Sequence, residues 1–385
     1  MKTIRVGTVG MGGRGREMTK LASQFDGVEI VACCDIRPHN FYETQWLSTM
    51  PMSEYFPNAV FYEDYDKMLE EANLDVVIVE TGADIHTEFC CKALEKNINV
   101  FAEIPLVASL AEAEKIWKVS QASKAMISVG ANPNYKRFTY HLQDFYKKGL
   151  LGEPVFMEAE YIHWTLPTSE SHKHYNENGD WRKLLSPIRY CTHSLGPLLT
   201  VVKEDLRYVS CFGTGRRAPA SEYGSNPDFN KDDLQSAQFR TEDGVVVHIT
   251  RAGRVRSRIP QHSYRAFGTE GYIELMYRDW RKWTIQYNSM KELDTELHTV
   301  EGKNLPPEYE GNEKVEKSGH GGVDYAMFDY FFKAVRTGGP APISVREGLR
   351  MTIPGIYAEE SAKRGGQVMK IRYPWDEDWT TEFDD

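Results

Sequence analysis

Three glycines and one acid carry the clearest chemistry in this 385-residue chain. An apolar strand, Ile4-Arg5-Val6-Gly7-Thr8-Val9, runs into Gly10-Met11-Gly12-Gly13-Arg14-Gly15. A helical segment follows, then a second apolar run, Val28–Cys34, that ends on Asp35. In that order Gly10 permits a tight turn out of the strand, Gly12 lets backbone N–H groups approach a pyrophosphate, and Gly15 lets helix and strand pack closely. The helix that follows offers its positive end to the phosphates. Asp35 stands about twenty residues beyond the last glycine, where a carboxylate bonds a ribose 2′-hydroxyl. The chemistry is dinucleotide binding, with Asp35 favouring NAD over NADP, although Arg37 stands where an arginine accommodates a 2′-phosphate.

A second set of residues suits proton transfer. His193 brings an imidazole that titrates near neutrality and is the first candidate, the alternative being a histidine that caps its own helix. Tyr135, after Asn132-Pro133-Asn134, is either a hydroxyl donor or a core tyrosine with a bonded OH. Glu158 and His163 are an odd interval apart, so a regular strand turns them to opposite faces. His172, His174 and His193 with nearby acids match no zinc spacing, so no metal is expected.

The scaffold for these residues shows in the periodicity. After Asp35 the chain alternates strand Ala59–Tyr62, helix Asp64–Ala72, strand Asp75–Glu80, helix His86–Lys96 and strand Asn99–Glu103. The capping box Ser109-Leu110-Ala111-Glu112 opens a helix to about Ser123, and Ala125–Val129 closes the series. This is an α/β pattern, a Rossmann-type doubly wound parallel sheet, whose ligands bind beyond the carboxyl ends of the strands. From about residue 131 the pattern changes. A helix at Arg137–Lys148 and a strand at Val155–Ile162 lead to a polar loop near 163–180 and a helical stretch around 190–203. Segments of antiparallel character follow at Leu206–Cys211, Leu234–Arg240, Val245–Arg251, Ser263–Gly268, Gly271–Met276 and Trp283–Tyr287. The polar stretch 291–318 reads as a long excursion or lid. Two helices end the fold, Val323–Arg336 and one opened by the capping box Ser344-Val345-Arg346-Glu347 and kinked near Pro354. The expected domains are 1–130, binding the dinucleotide, and 131–385, an α+β domain with a large, mainly antiparallel open sheet that binds substrate and mediates oligomers.

Composition is that of an ordinary globular protein, 41% hydrophobic and 26% charged, and the length suits two domains. A net charge of −10 argues against nucleic acid or an anionic membrane as the main partner. No apolar run reaches membrane-spanning length, and Met1 leads straight into the first strand, so a cytoplasmic location is expected, a leader removed beforehand aside. Six cysteines, four of them in the adjacent pairs Cys33-Cys34 and Cys90-Cys91, suit buried thiols better than a disulfide framework.

Several motifs resemble the glucose–fructose oxidoreductase, inositol dehydrogenase and MocA superfamily (Gfo/Idh/MocA). In that group the fifth strand of the parallel sheet ends in Glu-Lys-Pro, whose lysine serves proton transfer at the substrate hydroxyl. This chain has Glu103-Ile104-Pro105, and isoleucine neither donates nor accepts a proton. The same departure is similar to the NAD-dependent glycosidases of the α-N-acetylgalactosaminidase type, which carry an apolar residue there. Further likeness lies in Gly152-Glu153-Pro154-Val155 leading to Glu158 and Tyr161-Ile162-His163, in Trp181-Arg182 followed by Tyr190-Cys191-Thr192-His193-Ser194-Leu195-Gly196-Pro197, and in Gly319-His320-Gly321-Gly322-Val323-Asp324. Where that branch has an Arg-Pro-Tyr-Ser-Arg-like stretch, this chain has Arg254-Val255-Arg256-Ser257-Arg258, without the tyrosine.

The resemblance implies a tightly bound NAD and a glycoside hydrolase working by transient C3 oxidation, elimination and water addition on a sugar. It implies His193, Tyr135, Glu158 and Tyr190 as catalytic residues, and His163, Trp181, Arg182 and His320 on the substrate. On the cofactor it implies Gly10, Met11, Gly12, Gly13, Arg14, Gly15, Asp35, Arg37, Thr81, His86, Glu103, Ile104, Pro105 and Asn132. His163, Trp164 and Trp181 form either a platform for pyranose C–H surfaces or ordinary core. Arg251, Arg254, Arg256, Arg258 and Arg265 either hold an anionic sugar or pair with acids on an outer sheet face or dimer interface. Two other functions fit the same residues: an NAD(P)-dependent sugar or polyol (3-keto sugar) oxidoreductase with His193 in the lysine's place, and a catalytically inactive cofactor-bound sensor. A homodimer or homotetramer follows from the same resemblance.

Overall fold

The computed structural model describes residues 2–44, 49–163, 185–218, 232–255, 262–279, 282–292 and 294–384. It divides into two compact units, Met1–Gly130 with Asp324–Gly348, and Ala131–Val323 with Leu349–Asp385. The segment 324–348 packs with residues 1–130. The reason is aromatic packing. Phe328, Phe331 and Phe332 recur at helical spacing on the helix Val323–Thr337 and are fully buried. The Phe101 ring lies 4.6 Å from Phe328 and 5.4 Å from Phe331, and Phe25 lies 5.4 Å from Phe332. Beyond that helix, the Ile343 carbonyl accepts from Val129 N at 2.9 Å, extending the sheet edge.

In the first unit the strands are β1 (Ile4–Val9), β2 (Val28–Cys34), β3 (Val60–Tyr62), β4 (Val76–Val79), β5 (Asn99–Ala102) and β6 (Ile127–Val129). They form a parallel sheet in the order β3-β2-β1-β4-β5-β6. β4 is wholly buried, as a strand with both faces covered must be, which explains its unbroken Val-Val-Ile-Val run. The order reverses at β1, so the glycine loop leaves the sheet at its topological switch point. Ser109 caps the helix Leu110–Ala122 by accepting from Glu112 N at 3.2 Å, while the Glu112 carboxylate reaches back to Ala108 N at 2.6 Å.

The second unit is built on β7 (Pro154–Ile162), β8 (Leu206–Gly213), β9 (Leu234–Thr241), β10 (Val246–Ala252), β11 (His262–Gly268), β12 (Gly271–Asp279), β13 (Lys282–Ser289), β14 (Asp294–Gly302) and β15 (Met369–Lys370). Their order is β14-β13-β12-β11-β7-β10-β9-β8-β15, antiparallel throughout except for the β10/β7 pair. The stretch expected as an excursion or lid contributes β14, paired with β13. Along it His298 and Val300 are half-buried while Leu297, Thr299 and Glu301 are exposed, an alternation that suits an edge strand with a wet face. The helix Val345–Lys363 spans Pro354 as one element, and its capping box is made, with Glu347 N donating to Ser344 Oγ at 3.3 Å and Ser344 N to Glu347 at 2.6 Å. All six cysteines are buried free thiols. Among the described residues no helix is long and apolar enough to cross a membrane.

Candidate active site

The first unit carries a phosphate-binding loop. Gly10 has φ +89°, and a Cβ there would meet the Glu80 carbonyl at 2.6 Å. A Cβ at Gly15 would stand 1.8 Å from the Gly10 carbonyl, so helix and loop approach closer than any side chain allows. The helix Gly13–Ala22 begins at Gly12 with no side-chain cap and no acid in its first turn, leaving its N–H groups and dipole for an anion. Asp35 closes β2 and accepts from Met11 N at 2.7 Å, from Arg37 N at 2.8 Å and from Asn40 Nδ2 at 3.1 Å. The loop and the acid are thus tied together. Thr81 Oγ1 lies 3.4 Å from His86 Nδ1, and burial pushes His86 down to about 4, so its imidazole is neutral. Ile104 is buried and precedes Pro105 across a cis peptide bond. These residues fit a dinucleotide.

The Arg14 guanidinium is held by protein acids. Nε donates to Glu103 at 2.9 Å, and Nη1 and Nη2 grip both oxygens of Asp324 at 2.7 and 3.2 Å. Glu103 also accepts from Ile104 N at 3.1 Å. Glu80 joins this group at the end of β4. Burial, then the charge of Glu103, raise its pKa well above the carboxylate range, so it holds a proton further into the neutral range than an ordinary carboxyl.

In the second unit, cross-strand register builds a row. Tyr161 on β7 is opposite Arg251 on β10 and His262 on β11. The Tyr161 and His262 rings stack at 4.1 Å, and the Arg251 guanidinium lies 4.3 Å from the Tyr161 centroid. The helix Thr192–Leu199 places His193 on this row, 5.3 Å from Tyr161, 5.5 Å from His262 and 5.1 Å from Tyr190, ring to ring. Tyr264 donates its hydroxyl to the His193 carbonyl at 2.7 Å and lies 3.3 Å from His262 Nδ1. Burial first, then the charges of Lys136, His320, Arg251 and His163, push His193 well below the usual histidine value. His262 is lowered in the same way. Thr192 Oγ1, His193 Nδ1 and Ser194 Oγ are buried without a hydrogen-bond partner among the described residues. Each such group costs about 1–3 kcal/mol, which a bound polar ligand would offset.

Of the expected residues, His193, Tyr190 and His163 come together, the His163 ring lying 5.4 Å from Tyr161. His320 also acts on His193 and is held at φ +52°, an uncommon conformation for a side chain other than glycine. Tyr135 and Asn132 are buried in the turn Asn132–Tyr135 that opens the second unit. Glu158 is not brought to His193. Met157, Ala159 and Tyr161 are buried on the covered face, and Glu158 lies on the other, where it pairs with His248 Nδ1 at 3.0 Å and with Arg265. The arginines expected to act as one run part the same way, Arg251 on the covered face and Arg265 on the open one. Trp164, His172, His174, Trp181, Arg182, Arg256 and Arg258 lie outside the described residues. Tyr161, His262, Lys136, Glu80 and Asp324 were not singled out from the sequence. Strand alternation carried a signal for Tyr161, and the Gly-His-Gly-Gly-Val-Asp motif one for Asp324.

Comparison with known proteins follows these divisions. Residues 4–131 match the oxidoreductase family, NAD-binding Rossmann fold, and residues 135–380 match the glycosyl hydrolase 109 C-terminal domain. The chain belongs to glycosyl hydrolase family 109. A glycosyl hydrolase family 109 protein of Shewanella pealeana is 26% identical, with 94% of this chain and 83% of the relative aligned. An alpha-N-acetylgalactosaminidase of Shewanella oneidensis is 25% identical over 94% of this chain and 83% of its own length. In fold the chain is similar to a levoglucosan dehydrogenase solved in complex with NADH, with a TM-score of 0.77 at 16% identity, covering 97% and 100% of the two chains. The first unit of this family 109 member is an NAD-binding Rossmann fold, and the protein is an enzyme acting on sugars.

Proposed function

We propose that this protein is an NAD-dependent glycosidase that cleaves its sugar substrate by transient oxidation at C3, elimination across C1–C2 and addition of water. The observation that carries this reading is His193, a buried neutral imidazole whose Nδ1 has no hydrogen-bond partner among the described residues, set among Tyr161, Tyr190 and His262. Bound NAD supplies a hydride acceptor for C3–H that is regenerated when the hydride returns, so it is held tightly and not consumed. Gly10, Gly12 and Gly15 seat the pyrophosphate, Asp35 the ribose, and Ile104 gives an apolar surface that trades no proton. Proton transfer therefore falls to the second unit. His193 takes the C2 proton once the neighbouring carbon is a ketone, and Tyr190 orients its ring. The fold-level likeness to a levoglucosan dehydrogenase favours one other reading, net oxidation of a sugar. Aryl glycosides incubated in deuterated water separate the two. Aglycone release with deuterium at C2 and no net NADH is expected; stoichiometric NADH without release favours the oxidoreductase and overturns the glycosidase.

A further inference from the structure

We propose that Lys136 is a further catalytic residue, its ammonium holding the enolate oxygen that forms at C3 when C2 is deprotonated. The inference rests on the glycosidase reading above and adds a group that the sequence motifs did not assign. Lys136 is 7% exposed, an uncommon burial for lysine, and follows the turn Asn132–Tyr135 directly. That turn is pressed on the helix of His193, since a Cβ at Gly196 would meet Asn134 Oδ1 at 2.1 Å. Two residues on, Phe138 stacks at 5.1 Å on Tyr264, whose hydroxyl bonds the His193 carbonyl and reaches His262. Lys136 is thus buried between two residues, Asn134 and Phe138, that pack on the elements of the His193–His262 cluster. Its charge weighs more than any other on both imidazoles.

A cation beside a base lowers that base's proton affinity, a disadvantage unless negative charge appears nearby during the reaction. Deprotonation of a 3-keto sugar supplies it. The C2–H bond breaks and the proton goes to His193. The electron pair forms C2=C3 and the ketone oxygen becomes an anion bound by the Lys136 ammonium. The oxygen then re-forms C=O, the pair moves to C1=C2, the C1–O bond breaks, and the aglycone oxygen takes a proton from solvent. The ammonium favours the charged state over the neutral ketone, which is the condition for accelerating the step. The chain has isoleucine at 104, where the resembling dehydrogenases place a lysine, and buries a lysine at 136.

The test supplies the ketone directly, as a panel of aryl 3-keto-hexopyranosides of both anomers in deuterated water, and follows C2 exchange and aglycone release by the full-length protein. Lys136→Met should lose about 10²-fold or more in kcat, as for removal of an oxyanion donor, with KM little changed. Lys136→Ala should regain exchange on addition of ethylammonium, and Lys136→Arg should retain more activity than either. Should Lys136→Met fail to fold, Lys136→Arg and Lys136→Gln carry the same contrast of charge. Wild-type exchange rates in Lys136→Met, or a rise in KM alone, overturn the inference while leaving the glycosidase reading intact. A wild-type protein inert on the whole panel overturns both.

Discussion

One cluster in each unit gathers ionisable neighbours, and the two clusters differ in sign. In the first, Glu80, Glu103 and Asp324 surround the guanidinium of Arg14. In the second, His193 and His262 lie among Lys136, Arg251 and tyrosine rings. The difference follows from what each must hold. A half-buried guanidinium gripped by two carboxylates is a fixed strut, and it ties the helix of the glycine loop to the end of β5 and to the helix Val323–Thr337. Neutral imidazoles in a cationic setting are poised instead for a proton and for negative charge as it develops. One arrangement positions; on the reading proposed above, the other reacts.

The largest expected effect breaks the reactive side. His193→Ala should lower kcat for C2 exchange by about 10²–10⁴-fold, the usual range for a general base, while NAD affinity measured by calorimetry stays unchanged. A parallel loss of NAD binding would mean that the side chain supports the fold. Next comes the strut. Asp324 is fully buried, and Asp324→Asn weakens the bidentate grip on a guanidinium that keeps Glu103, at a cost of about 1.5–3 kcal/mol in denaturant unfolding. An unchanged midpoint would show that Glu103 alone suffices.

Stability against pH sharpens the comparison further, because a tenfold change in a group's proton affinity on folding is worth about 1.4 kcal/mol. His193 and His262 have folded pKa values below the unfolded one, so their contribution is present above about 6.5 and is lost as pH falls through the folded values. His86 adds to the same limb down to about 4. Glu80 is raised, so its contribution is full below the ordinary carboxylate value and is lost as pH rises toward the folded one. His262→Gln should flatten the acid limb and Glu80→Gln the opposite one; no change in either slope would remove the distinction between the units. The smallest effect belongs to the open face. Glu158→Gln removes a partner of the half-exposed Arg265 and should cost under about 1 kcal/mol, with kcat for C2 exchange unaltered.

The glycine loop, the strand ending on Asp35, both capping boxes and the change of pattern near residue 130 were legible in the sequence because each depends on neighbours a few residues apart. The run 291–318 misled because an edge strand with one wet face is as polar as a loop. Glu158 and Tyr161 differ by three positions on one strand, and that odd interval sends one to the ion pairs of the open face and the other to His193.

The order of residues by itself determined a dinucleotide-binding sheet joined to a larger antiparallel one, since periodicity and turn chemistry are local properties. Only the tertiary structure decided which side chains meet. Arg14 finds Asp324 across 310 positions, and the alignment of Arg251, Tyr161 and His262 depends on the register of three strands. Burial then fixes their protonation, because the field around a titratable group is set by neighbours distant in sequence.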